Sequence, residues 1–252
     1  MHVLTVASGK GGVGKTTTAF ELAYTLANNG RRVIALDCDP QASLTAFFGV
    51  ATPDTIADVL TGKRMARDAL ATITPNLSLI GSSGELVGAE LTIAARPLKR
   101  EETLRRAMAG LNDLADIVVI DTPPALGLLT LNALVASDGV LVVTIPEAAA
   151  LGTLRATLDA VELVRTEANP ALKLLGVLAT HTALHLTHHA QAMEAMQAEK
   201  IPILSASIPR AIRLTDMAVL HKPISDYDRN HPAALAYTET IGVIERWLKR
   251  IK

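Results

Sequence analysis

Short apolar runs recur along the chain and predict buried strands. The predicted strands cover residues 3–7, 32–36, 77–81, 116–120, 139–145, 172–180 and, with a weaker pattern, 203–207. These runs lack the alternation of apolar and polar residues that marks a half-exposed strand. Both faces of the sheet are therefore expected to be covered by other elements.

Helical patterns separate these runs. They cover residues 16–29, 99–112, 128–137, 150–168, 187–199 and 232–250, and Gly30 suits the left-handed backbone that ends many helices. Strands that alternate with helices predict an α/β fold with a doubly wound, mainly parallel sheet and helices on both faces. No internal repeat or low-complexity linker is visible, so one domain over residues 1–252 is expected, with residues 41–97 as its least regular part.

Composition narrows the class of protein. Apolar residues make up 49% and charged residues 19% of the 252 residues, which is typical of a globular chain. The formal net charge is -1, so any nucleic-acid binding depends on a local basic patch. One cysteine, Cys38, fits a reducing cytosol, and no run approaches the roughly 18 apolar residues of a membrane span. Because the first predicted strand begins at residue 3, no leader segment is expected, and a cytoplasmic protein is predicted.

The residues after the first strand form a phosphate-loop motif, Gly-x-x-x-x-Gly-Lys-Thr, from Gly9 to Thr16. Glycines let successive backbone N–H groups point at phosphate oxygens, and the helix that follows adds its positive end. Lys15 is expected to reach the β- and γ-phosphates of ATP, and the Thr16 hydroxyl to coordinate Mg²⁺. The alternative, an ordinary Gly-rich turn, does not require a strand before the motif and a helix after it.

Acidic residues follow two of the predicted strands. Asp37 and Asp39 follow the second, and Asp121 follows the run from Ile117 to Ile120. The carboxyl ends of strands are where open α/β sheets bind ligands, and a nucleotide hydrolase needs a carboxylate for the Mg²⁺ shell. The alternative is that these acids only cap turns.

Taken together, these segments resemble the ParA/MinD family of P-loop ATPases. The segment from Ser8 to Thr18 looks like the family's deviant Walker A box, whose mark is a second lysine, here Lys10. Asp37-Cys38-Asp39-Pro40-Gln41 is similar to the second box of the ParA branch, and Asp121-Thr122-Pro123-Pro124 to its Walker B segment. The segments 208–214 and 222–224 resemble the C-terminal ParA boxes, so the likeness covers about residues 3–230 and is greatest for Soj-like ParA proteins.

The resemblance implies a role for each matching residue. Lys10 would cross to the partner's nucleotide, Asp39 would orient the attacking water, and Gly12 would permit close approach of two protomers. The implied catalytic residues are Lys10, Lys15 and Asp39. The implied nucleotide-binding residues are Gly11, Gly12, Val13, Gly14, Lys15, Thr16, Thr17 and Pro209. The implied magnesium residues are Thr16, Asp37 and Asp121, and the implied DNA-binding residues are Arg210 and Arg213.

The resemblance also implies a function. ATP would join two chains into a homodimer, the dimer would bind nucleoid DNA without sequence preference, and a ParB-like protein would stimulate slow hydrolysis during chromosome or plasmid segregation. Two alternatives stay open: a MinD-like membrane-associated positioning ATPase, and a ParA-like ATPase that positions a protein cargo. The nitrogenase iron protein shares the loop but needs two cysteines per subunit, and this chain has one.

Histidines replace the acidic and basic residues that relatives often carry after the sixth strand. They are His181, His185, His188 and His189. Three interpretations stay open, of which a polar surface is favoured. The others are a weak phosphate contact and a metal site, for which His185 and His189 have the spacing of one helix face.

The last predicted helix is amphipathic and ends in basic residues. Its apolar face carries Ile244, Trp247, Leu248 and Ile251. Packing of this face on the domain is favoured over contact with an anionic membrane, because most amphipathic helices of globular proteins face the core.

Overall fold

One twisted sheet forms the centre of the protein. The computed structural model describes residues 1–183 and 186–250. Within them the strands are β1 (His2–Ala7), β2 (Val33–Asp37), β3 (Ala71–Thr74), β4 (Leu77–Ile80), β5 (Ile117–Asp121), β6 (Gly139–Thr144), β7 (Lys173–Thr182) and β8 (Ile203–Pro209). Their order is β3-β4-β2-β5-β1-β6-β7-β8, and all neighbours are parallel except the pair of β3 and β4. The doubly wound, mainly parallel sheet is confirmed.

Helices cover both faces of this sheet. They are α1 (Lys15–Asn28), α2 (Ser43–Phe48), α3 (Ile56–Thr61), α4 (Leu86–Ala94), α5 (Thr103–Ala107), α6 (Leu128–Ala136), α7 (Ala148–Glu167), α8 (Thr187–Ala198), α9 (Asp216–Leu220), α10 (Ile224–Tyr227) and α11 (Pro232–Arg250). Successive strand residues point to opposite faces, so Ile117 and Val119 pack with α1 and α11 while Val118 and Ile120 pack with α3 to α6. A second cluster on the latter side joins α7 and α8 to β6 and β7.

The segment 41–97 holds more structure than its pattern indicates. The edge strand β3 and the helices α2, α3 and α4 all lie in it and were not predicted. β3 is only four residues long and its side chains are exposed or half-buried, so it lacks the apolar run on which the other strands were recognised. Short elements of this kind carry too few residues for a periodic pattern.

The helical segment predicted over residues 99–112 is present at residues 100–111 but is not one regular α-helix. The structure breaks it into a 3₁₀ turn (Arg100–Glu102), α5 and a second 3₁₀ turn (Met108–Leu111). The buried amide of Asn132 accepts a hydrogen bond from the Leu104 N–H and donates one to the carbonyl of Arg100. This contact from α6 takes backbone groups that a continuous helix would pair within itself.

The C-terminal helix packs on the domain, as the favoured interpretation predicts. Ile244, Trp247 and Leu248 are buried against the sheet, whereas Ile251 lies outside the described residues. No helix within residues 1–183 and 186–250 combines the length and apolarity that crossing a membrane requires.

The strand order places the sequence motifs side by side. β1, which leads into the phosphate loop, lies directly beside β5, and β5 lies beside β2. Asp37 and Asp121 are register partners at the carboxyl ends of β2 and β5, and Val6 of β1 is also paired with Asp121. The two acidic strand ends and the phosphate loop therefore meet at one edge of the sheet.

Candidate nucleotide-binding site

The loop between β1 and α1 has the backbone geometry that phosphate binding requires. Gly12 and Gly14 have φ values of 71° and 79°, a region that L side chains rarely adopt. A Cβ on Gly9 would lie 2.8 Å from the Thr153 side chain, so this glycine also permits close packing against α7. A Cβ on Gly12 would meet nothing within 4 Å, which leaves this side of the loop open.

Lys15, Thr16 and Asp121 form a connected group at the start of α1. The ammonium of Lys15 lies 2.9 Å from Oδ1 of Asp121, and the hydroxyl of Thr16 donates to Oδ2 over 2.6 Å. Lys15 is 6% exposed and Asp121 is fully buried. Burial raises the pKa of Asp121, while Lys15 and Thr16 lower it.

Asp37 is held by three donors. Its Oδ1 accepts from the Asp39 N–H at 3.0 Å, and its Oδ2 accepts from both the N–H and the hydroxyl of Thr45 at 2.8 Å. Burial and the neighbouring charge of Asp121 raise the pKa of Asp37 to about 7 in spite of these hydrogen bonds. The carboxylate is fixed in direction, and within residues 1–183 and 186–250 no cationic side chain forms an ion pair with it.

This arrangement fits a magnesium ion. Two buried carboxylates, Asp37 and Asp121, lie on adjacent strands, and the pair has one buried lysine, Lys15, to balance it. Burial is the main cause of the raised pKa values of Asp37 and Asp121, and a divalent cation would offset the negative charge that the two carboxylates share. Carboxylate and hydroxyl oxygens are the hard ligands that Mg²⁺ prefers, so Thr16, Asp37 and Asp121 are suited to its inner or outer coordination.

Asp39 lies on the wall of the same cleft. Its Oδ1 accepts a hydrogen bond from the N–H of Gln41 at 2.9 Å, and the residue is 6% exposed. The cleft has a volume of about 350 Å³ and is lined by the loop residues from Lys10 to Thr17 together with Asp39 and Pro124. A carboxylate held by one backbone donor keeps its second oxygen for another partner.

Lys10 is paired within its own chain. Its ammonium lies 2.9 Å from Oε2 of Glu147, a residue between β6 and α7 that the sequence did not single out. Both side chains are partly exposed, at 34% and 42%. The hydrogen bond from Lys10 is the main reason why the pKa of Glu147 is lowered.

A second, wider cleft continues from the phosphate loop. Its volume is about 740 Å³, and its walls include Ile145, Ile208, Leu214 and Arg210. Pro209, the last residue of β8, lies in the chain between Ile208 and Arg210. The two clefts share Gly14, Thr17, Phe47 and His181, so together they form one continuous path that leads from the phosphate loop to apolar side chains such as Ile208 and Leu214. That shape suits a phosphorylated ligand with a planar, less polar end.

The histidines separate into different surroundings. His181 is half-buried beside the phosphate loop, His189 accepts a hydrogen bond from the Ala183 N–H at 3.1 Å, and His188 lies with its ring against that of His189. His185 lies outside the described residues, and with it the pair proposed for metal. Within the described part of the chain, no three His, Cys, Asp or Glu side chains are grouped as a metal site would need.

The two arginines predicted to bind DNA differ in their partners. Arg213 forms ion pairs with Asp216 at 3.0 Å and Asp228 at 3.5 Å, and its guanidinium lies 5.6 Å from the centre of the Tyr227 ring. Arg210 is exposed, and among residues 1–183 and 186–250 no carboxylate forms an ion pair with it.

Cys38, the one cysteine, is in surroundings that do not favour a reactive thiolate. It is buried in the core beside β2, and burial together with Asp37 and Asp121 raises the pKa of its thiol well above the usual value. A thiol kept protonated in this way is a packing residue.

Comparison with known proteins decides the family. A family model described as an AAA domain matches residues 1–174. The chain is 37% identical to the chromosome-partitioning ATPase Soj of Thermus thermophilus over 93% of this chain and 91% of that protein. The chain is a ParA/Soj-type ATPase.

Solved structures with similar folds indicate the ligand. Cobyrinic acid a,c-diamide synthase from Mycobacterium smegmatis, solved with an ATP analogue and magnesium, has a TM-score of 0.87, 33% identity, and covers 100% of this chain and 97% of its own. The ATP complex of an aspartate-to-alanine variant of McdA from Cyanothece has a TM-score of 0.87, 25% identity, and coverage of 97% and 96%. The cofactors of this ParA-type ATPase are ATP and Mg²⁺.

Proposed function

We propose that this chain is an ATP-dependent dimerising switch that segregates chromosome or plasmid DNA. The dimer binds nucleoid DNA in the cytoplasm without sequence preference, and hydrolysis of ATP to ADP and phosphate, slow and Mg²⁺-dependent, is stimulated by a ParB-like protein. The observation that carries the proposal is the cleft that brings Lys10, Lys15 and Asp39 together beside an open glycine face. All eight strands belong to one sheet, which supports one ATPase domain over residues 1–252.

The catalytic roles follow from the contacts at the loop. Lys15 lies at the start of α1, where its ammonium can leave Asp121 for the β- and γ-phosphates. Mg²⁺, when bound, neutralises phosphate charge, and Thr16, Asp37 and Asp121 hold it. Asp39 keeps one oxygen for a water molecule and orients it for attack on the γ-phosphate. Thr17 lines both clefts, which supports its assignment to the α-phosphate.

Dimerisation follows from two features of the loop. Gly12 faces open space, so a second chain can approach the phosphates where a side chain would obstruct it. Lys10 is partly exposed and long enough to leave Glu147 for a partner's nucleotide, where its charge would stabilise the transition state as an arginine finger does. Hydrolysis in the single chain is then slow, because no second chain supplies its Lys10 to the nucleotide.

DNA binding rests on Arg210 more than on Arg213. Arg210 is exposed beside the nucleotide cleft, whereas the charge of Arg213 is already offset by Asp216 and Asp228. Phosphate contacts made by such arginines make affinity fall steeply with salt. The burial of Ile244, Trp247 and Leu248 counts against the membrane-associated alternative, because that apolar face is occupied.

The Asp39→Ala variant tests the switch. It should bind ATP, stay dimeric with ATP and Mg²⁺, and hydrolyse at least a hundredfold more slowly, because the water loses its acceptor while the phosphate contacts remain. Light scattering after gel filtration measures the mass, and phosphate release measures the rate. A monomer with bound ATP would contradict the sandwich, and an unchanged rate would contradict the role of Asp39.

DNA binding is tested on that trapped dimer. Arg210→Ala should lower the affinity for a duplex of arbitrary sequence and reduce the slope of log affinity against log salt by about one. Arg213→Ala should have a smaller effect, and Arg165→Ala, on the exposed side of α7, is the matched control. Equal affinities in all three variants would place the DNA surface elsewhere. Flotation with anionic vesicles and ATP tests the membrane-associated alternative, which predicts that the protein floats with the vesicles.

A further inference from the structure

His181 occupies an unusual backbone position next to the phosphate loop. It lies within β7, yet its φ is 51°, in the left-handed region where a residue other than glycine is strained. Strain of this kind persists where the surrounding structure enforces it. At His181 the neighbouring contacts show what enforces it.

Thr180 fastens this part of β7 to the loop. Its hydroxyl donates to the carbonyl of Val13 at 2.6 Å and lies 3.1 Å from the carbonyl of Thr144. The next residue is thereby turned towards the loop, and a Cβ on Gly14 would lie 3.6 Å from Nε2 of His181. The imidazole ring therefore covers Gly14 at the point where α1 begins.

This place is the junction of the two clefts. Only four residues line both the narrow phosphate cleft and the wide cleft among the described residues: Gly14, Thr17, Phe47 and His181. A nucleotide with its β- and γ-phosphates on Lys15 must pass this junction to place its nucleoside in the wide cleft. Of the four, only Thr17 and His181 have polar side-chain atoms. The ring of Phe47 packs edge-on against the ring of Phe20, with 5.5 Å between the ring centres.

We propose that His181 is a nucleotide-binding residue that hydrogen-bonds the ribose of ATP or ADP at the junction of the two clefts. An imidazole can both donate and accept a hydrogen bond, which suits the ribose hydroxyl groups, since each of them can also do both. His188 and His189 line only the wide cleft, so they do not share this position. This role deepens the proposed nucleotide switch, and His181 has it only if the parent chain binds ATP.

The test compares ADP with pyrophosphate, which carries the phosphates but no ribose. The variant His181→Gly removes the ring, and glycine adopts this positive φ freely. If the glycine variant does not fold, His181→Asn is used instead, because asparagine also tolerates this backbone conformation. Affinities are measured by calorimetry with Mg²⁺, and circular dichroism checks the fold. His221→Gly is the matched control, because it removes a ring at a residue with the same φ of 51° that lines neither cleft.

Loss of one hydrogen-bonding group should weaken ADP binding by about tenfold and pyrophosphate binding by less than about twofold. His221→Gly should leave both affinities within about twofold of the parent chain. Equal losses for ADP and pyrophosphate would show that His181 only shapes the loop, and unchanged ADP binding would show that it makes no contact; either result overturns the proposal. Failure of the parent chain to bind ADP or ATP would instead refute the proposed function.

Discussion

The ammonium of Lys10 lies 2.9 Å from Oε2 of Glu147 in the same chain. The proposed switch needs this lysine on the nucleotide of a second chain, so the ion pair must break before the dimer forms. An ion pair between partly exposed side chains is worth roughly 0.2–1 kcal/mol. Glu147 is therefore a weak latch that a second nucleotide can displace.

Removal of this latch should favour the dimer. In the Asp39→Ala background with ATP, Glu147→Gln should lower the protein concentration for half-dimerisation by about two- to fivefold, since Lys10 no longer leaves an ionised partner. Sedimentation velocity over a dilution series measures it. Glu199→Gln, which breaks the exposed pair with Arg155, is the control and should change nothing. A higher concentration for half-dimerisation in Glu147→Gln would show that Glu147 acts within the dimer.

The buried pair of Lys15 and Asp121 makes a prediction about stability as well as binding. Lys15→Met should abolish ATP binding and also destabilise the ligand-free chain by about 3 kcal/mol, because it leaves the fully buried Asp121 without its cation. Adding Asp121→Asn should restore most of the stability but none of the ATP binding. Urea unfolding and nucleotide calorimetry measure the two effects, and a double variant no more stable than the single one would contradict this account.

Much of the site could be predicted because it is encoded locally. The residues from Gly9 to Thr16 set their own backbone geometry, and Asp37 and Asp121 end apolar runs that must lie in one parallel sheet. Glu147 could not be found in this way, and His181 could be named only as one of four histidines, because their positions depend on β6 lying beside β1 and on β7 lying beside β6. The break in the helix at residues 99–112 has the same origin, since it is caused by Asn132 from a different helix.

Glu21 should make stability depend on pH. This fully buried carboxyl on α1 accepts hydrogen bonds from the N–H groups of Ile224 and Ser225, and burial raises its pKa from 4.5 to about 7. The folded state then binds a proton that the unfolded state releases, so this group destabilises the fold above pH 7 and ceases to do so as the pH falls towards 4.5. The whole shift corresponds to at most about 3 kcal/mol.

The variant Glu21→Gln isolates that contribution. Its stability relative to the parent chain should be more favourable at pH 8 than at pH 5, because the parent carries the cost of the buried charge only at the higher pH. Urea unfolding at both pH values measures the difference. Parallel profiles for the two proteins would mean that Glu21 does not titrate between these pH values in the folded state.

Gly139 permits the contact that anchors the C-terminal helix. A Cβ at this position would lie 2.7 Å from the ring of Trp247, which is enclosed by the core and has little room to move. Gly139→Ala should therefore destabilise the chain by about 1–3 kcal/mol through overpacking, and unfolding can be followed by the emission of Trp247, the one tryptophan. Gly152→Ala is the matched control: nothing lies within 4 Å of its added methyl group, and in the interior of α7 alanine should stabilise by up to about 1 kcal/mol. If both variants were stabilised, the Trp247 ring would have to move at little cost, and α11 would be less firmly packed than its burial indicates.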